Sequence, residues 1–126
     1  MERQVLGKDT GTSYAAGISV PAGRLVFISG MVALDDQGQV VAPGDMEAQT
    51  RHVFQQIGDL LQEAGGSFDN VVKITTFVTD MSQYGGFAKV RGEVFGNGSY
   101  PASATVEVSS LVRGGLLVEV EAIAVV

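Results

Sequence analysis

The last strand-like run, Val118-Glu119-Val120-Glu121-Ala122-Ile123-Ala124-Val125, constrains the fold more than any other segment. Side chains alternate across a β-strand. Val118, Val120, Ala122 and Ala124 therefore share one face, and Glu119, Glu121, Ile123 and Val125 share the other. The first face suits a core. The second sets two carboxylates among apolar neighbours, where burial is costly unless something binds them. A similar run, Tyr100-Pro101-Ala102-Ser103-Ala104-Thr105-Val106-Glu107-Val108, precedes it and is joined to it through Arg113-Gly114-Gly115.

Upstream, residues 14–20 and 25–30 are apolar runs flanking Pro21-Ala22-Gly23-Arg24, which reads as a hairpin. Asp35-Asp36-Gln37-Gly38 reads as a turn before a short run at residues 39–41. Asp45 then caps the best helical pattern in the chain. Met46, Val53, Phe54, Ile57, Leu60, Leu61 and Ala64 keep helical spacing, and Gly65-Gly66 ends it. His52 falls on the polar face and is expected at the surface. The β-branched run 71–78 reads as a strand. Asp80, with Gln83 three residues on, resembles a capping box for a second helix over residues 82–95. Its apolar stripe is Phe87, Val90 and Val94, and Gly96-Asn97-Gly98 stops it.

This order describes one α+β domain over residues 1–126, a mixed β-sheet with two helices packed on one face. Two helices leave the other sheet face bare. Because that face is partly apolar, a partner is expected to cover it, and an oligomer follows from pattern alone.

Composition narrows the chemistry. There is no cysteine and one histidine, which excludes disulfides, thiol nucleophiles and a multi-histidine zinc site. No metal or cofactor is expected. The net charge of -6, with eight scattered Lys and Arg, disfavours nucleic-acid partners. No apolar run is long enough to span a membrane. The N-terminus opens no signal-peptide pattern, so a cytoplasmic location is expected.

The C-terminal pair of segments, with Val26-Phe27-Ile28-Ser29-Gly30, Ala64-Gly65-Gly66 and the run from Val72-Lys73 to Asp80, resembles the Rid family of reactive-intermediate deaminases, formerly YjgF and also described as endoribonuclease L-PSP. The resemblance runs from Tyr14 to Val126. It implies a chorismate-mutase-like fold, a homotrimer with clefts between subunits, and hydrolysis of reactive enamines and imines to a carbonyl compound and ammonia. It also implies Glu119 as the glutamate that positions the attacking water. Tyr14, Ser29, Gly30 and Thr105 would line the cleft.

Three positions depart from the family pattern. Met31 stands where a glutamine is common, an asparagine often seen in the second helix falls near Ala88, and Ser103 stands where many deaminating members carry the arginine that clamps the substrate carboxylate. Arginine presents a charged fork of donors, whereas serine presents one neutral donor. The change loses about 1.5–3 kcal/mol of anchoring. Arg91 on the second helix is the first cation to consider as its replacement. The leading reading is an imine or enamine deaminase with altered substrate choice. The alternative is a non-catalytic small-ligand-binding or regulatory trimer.

Overall fold

The structure, a computed structural model, describes residues 2–96 and 98–126. The expected helix stop at Asn97 lies outside the described residues. Eight regular elements follow one another: β1 (Gln4–Leu6), β2 (Gly17–Ser19), β3 (Leu25–Val32), α1 (Met46–Glu63), β4 (Val71–Val78), α2 (Tyr84–Val94), β5 (Ala102–Glu107) and β6 (Val118–Val125). The main sheet has the order β3-β6-β4-β5. β6 runs antiparallel to both β3 and β4, while β4 and β5 are parallel, so the sheet is mixed as expected.

Both helices cover one face. The Asp45 carboxylate accepts from the Ala48 N–H at 3.0 Å and starts α1, and Gly65 adopts φ +86 beyond its end. Glycine takes this left-handed conformation without the Cβ penalty. Val53, Phe54, Ile57 and Leu61 of α1 and Phe87 and Val90 of α2 are buried with Ile74, Val78, Val118, Val120, Ala122 and Ala124 of the sheet. The rings of Phe54, Phe68 and Phe95 meet edge to face at 5.6–6.2 Å, an arrangement favoured by their quadrupoles. Gln49 is also buried. Its amide donates to the Gly115 carbonyl at 2.9 Å and accepts from the Leu117 N–H at 2.8 Å, tying α1 to the loop before β6.

Several expectations need correction. The two runs around Pro21 form no hairpin. β2 pairs with β1 in a separate two-stranded sheet, and β3 pairs with β6. The long ladder to β6 places Ile28 over the core, a gain no local turn could offer. β1 is three exposed residues and leaves no periodic trace. Residues 39–41 supply only an isolated bridge, Leu34 to Val40. Leu60 is exposed at the edge of the α1 stripe. His52 is half-buried, its Nε2 lying 3.0 Å from the Leu34 carbonyl oxygen, so the ring fastens the loop after β3.

The opposite sheet face is bare. Phe27 is 71% exposed, Leu25 58% and Val106 44%. Register places Phe27, Ile123, Lys73 and Ala102 in one row across this face, with Glu119, Phe77 and Val106 in another. No helix among the described residues is long and apolar enough to cross a membrane.

Candidate functional site

The expected site residues form two groups on opposite faces of the sheet. The first lies on the helix side, at the edge formed by β5. Ser103 pairs with Ile74 and Thr105 with Thr76, both of which face the helices, so Ser103 and Thr105 point the same way. Tyr14 reaches them from a bend, not from a strand. Ala15 bridges to Ala102, and its N–H donates to the Pro101 carbonyl at 3.0 Å. Tyr14, Met81, Tyr84, Arg91, Ser103 and Thr105 line a cavity of about 470 Å³.

Arg91 is the unusual member. It is only 2% exposed. Its Nε donates to Ser13 Oγ at 2.9 Å, and its Nη1 lies 3.4 Å from Ser103 Oγ. The guanidinium carbon lies 5.4 Å from the Tyr14 ring centre, 5.8 Å from Tyr84 and 5.3 Å from Phe87. Ring faces attract a cation, and Arg91 sits in the last turn of α2, where the helix dipole also favours positive charge. All of these partners are neutral. Among the described residues, no carboxylate pairs with Arg91.

Sequence reasoning missed Ser13, Met81, Tyr84 and the second role of Phe87. Positions 84, 87 and 91 follow helical spacing, so one face of α2 could have been read as carrying two rings and the cation together. Ser13 left no such signal.

A capped turn leads into α2. The Asp80 carboxylate accepts from the Ser82 hydroxyl at 2.6 Å, the Gln83 amide at 3.2 Å and the Ser82 N–H at 3.1 Å. Asp80 thus caps a 3-10 turn, Met81–Gln83, and α2 begins at Tyr84, later than expected. The Ser82 hydroxyl, then the Gln83 amide and the Ser82 N–H, hold the Asp80 carboxyl below its ordinary pKa. A carboxyl depressed by folding stabilises the fold above its unfolded pKa and loses that contribution as pH falls through the folded value. Asp80→Asn should therefore narrow its stability deficit against wild type as pH drops below about 4. Thermal unfolding across pH 2–7, as an approximate window around the carboxyl range, checks this, and a pH-independent difference would contradict it.

The second group lies on the bare face. The β3–β6 register shifts between Ile28 and Met31, so Ser29 and Gly30 form a bulge opposite Glu121. A Cβ at position 30 would collide with the Glu119 carboxylate. Glycine is therefore required if Glu119 is to lie against β3. Glu119 pairs with Phe77 on one side and Val32 on the other, and it is half-buried in an otherwise apolar row. Met31 pairs with Val120 and belongs to the helix side. Within one protomer, Glu119 and Gly30 are together, as are Tyr14, Arg91, Ser103 and Thr105, but the sheet separates the two groups.

Comparison with known proteins agrees with this architecture. The family model described as Endoribonuclease L-PSP matches residues 9–126. Protein DfrA of Myxococcus xanthus is 38% identical over 112 residues, covering 89% of this chain and 84% of that protein. A mouse protein named 2-iminobutanoate/2-iminopropanoate deaminase is 37% identical over 107 residues, covering 85% of this chain and 78% of that protein. Among solved structures, the Rid-family protein YyfB of Yersinia pestis, described as of unknown function, superposes with a TM-score of 0.90 at 26% identity over the whole of both chains. Fold and sequence thus agree, and the chain belongs to the Rid/YjgF family, the family of the Endoribonuclease L-PSP model.

Proposed function

We propose that this protein hydrolyses reactive imines and enamines to a carbonyl compound and ammonia, in a cleft completed between subunits of a homotrimer. The observation that carries this reading is the Glu119 carboxylate, seated against the Gly30 bulge on a bare apolar face. A bulge costs ladder hydrogen bonds, and such bulges recur next to active sites. The named activity of the mouse relative points to the same reaction class.

The chemistry needs little apparatus. Glu119 accepts a proton from water as the water oxygen bonds to the imine carbon. The nitrogen takes up a proton and the tetrahedral adduct forms. The carbon–nitrogen bond then breaks, ammonia leaves, and the oxygen sheds its proton to give the carbonyl. The net reaction consumes one imine and one water and requires no cofactor or metal. Tyr14, Arg91, Ser103 and Thr105 hold the substrate, with Ser29 and Gly30 bordering the water. Ser103 in place of an arginine alters which substrates are held.

The bare face supplies the trimer contacts, and nucleic acid and membrane have no part in the function. The cytoplasm is the expected compartment. The test generates 2-imino acids with an amino-acid oxidase and follows their loss against spontaneous hydrolysis. Acceleration by wild type, absent in Glu119→Gln, supports the reading. No acceleration across short, branched and aromatic imino acids would reject it in favour of a ligand-binding trimer.

A further inference from the structure

We propose that Arg91 on α2 is the anion anchor of this cleft: its guanidinium carries the charge, Ser103 on β5 supplies an accompanying hydroxyl, and the group they bind is a carboxylate. The inference rests on the deaminase reading only for the wider class of ligand, the 2-imino and 2-oxo acids. The binding claim stands without turnover.

A buried charge is costly unless it is paired. Arg91 is nine-tenths buried and more, yet its partners are two hydroxyls and three aromatic rings. None cancels its charge. Its Nη2 makes no hydrogen bond among the described residues. The side chain also lines the 470 Å³ cavity, which lies within the size range of pockets for small organic ligands. Ser13 on Nε and the three rings around it hold the guanidinium in place, and Nη2, with no hydrogen-bond partner among the described residues, is left for a ligand. A guanidinium edge matches the two oxygens of a carboxylate. The Ser103 hydroxyl, 3.4 Å from Nη1, can turn to donate to the same group.

Position 103 could hold a second arginine only at the cost of like charge beside Arg91. Serine there and arginine at 91 are thus one arrangement, a single positive charge delivered to the cleft from α2. The remainder of the cavity, bounded by Tyr14, Met81 and Tyr84, takes an apolar substrate side chain.

The test is equilibrium binding, read by NMR titration with 2-oxobutanoate and with its methyl ester as the neutral control. Wild type should bind the acid and not the ester. Arg91→Met should weaken acid binding by about 10- to 100-fold, the loss expected for one charged hydrogen-bonding partner. Adding Ser103→Arg to Arg91→Ala should recover at least about tenfold, because the charge returns to the cleft. Arg91→Lys, which keeps the charge and loses the fork, should fall between wild type and Arg91→Met, and it serves if Arg91→Met does not fold. Equal binding of acid and ester by wild type would overturn the proposal. So would unchanged affinity in folded Arg91→Met or Arg91→Lys protein, or no recovery in the double variant. The two readings fail separately. Arg91-dependent acid binding without imine hydrolysis would end the deaminase reading alone. Imine hydrolysis with kcat/KM unchanged in Arg91→Met would end the anchor alone.

Discussion

Glu119→Gln should lower kcat/KM for imine hydrolysis by about 100- to 10,000-fold, the range for removing a positioned general base. The substitution keeps size and the strand but removes the negative charge and the ability to accept a proton. Its effect on stability should be small, because Glu119 makes no ion pair among the described residues and lies on the bare sheet face. Binding of 2-oxobutanoate should persist, since the cavity around Arg91 is untouched. Steady-state rates on oxidase-generated imines, with spontaneous hydrolysis subtracted, measure the loss. Retention of more than about a tenth of wild-type kcat/KM would remove Glu119 from the proton transfer.

On the proposed trimeric assembly, Phe27→Glu should yield folded monomers and abolish turnover with them. Phe27 is 71% exposed in the protomer and shares its row with Ile123. A buried Phe removes about 150–250 Å² from water, and three copies at an assembly multiply that contribution. An unpaired carboxylate at the same place must instead be dehydrated on assembly. The isolated protomer loses little, because a substitution at an exposed site away from the core shifts stability by about 0.5 kcal/mol or less. Light scattering and thermal unfolding separate the two effects. A variant that stays trimeric, or a wild type that is monomeric at micromolar concentration, would remove the bare face from the assembly.

The sequence was informative where periodicity was strong. Strand β4 follows from its β-branched run, helix α1 from its helical spacing bounded by Asp45 and Gly65, and the two faces of β6 from alternation, because each buries a regular stripe. Pairing between distant strands was less legible. Nothing local tells β3 to choose β6 over β2, since that choice depends on the ladder and core at the far end of the chain. The site divides in the same way. Alternation on β6 separates Glu119 from Val118 and Val120. The bulge at Ser29-Gly30 has no mark beyond a glycine in a strand, and its purpose emerges only when the Glu119 carboxylate is seen to occupy the space of a Cβ. Ser13 comes within reach of Arg91 because Ala15 bridges to β5, a contact across most of the chain.

In the proposed cleft, one subunit contributes Glu119 and its neighbour contributes the cavity of Tyr14, Arg91 and Ser103, since one protomer holds them on opposite faces of its sheet. Subunit mixing tests this directly. Glu119→Gln lacks the base but keeps the cavity. Ser103→Phe fills the cavity but keeps the base. Each homotrimer should be inactive. After the two are unfolded together in equal amounts and refolded, random assembly pairs an intact base with an open cavity at about a quarter of the sites in a cyclic trimer. Imine hydrolysis should therefore return to about a quarter of the wild-type rate, with separately refolded variants as the control. A mixture no more active than its two components, in trimers shown to have exchanged subunits, would place base and cavity in the same protomer and contradict the shared site.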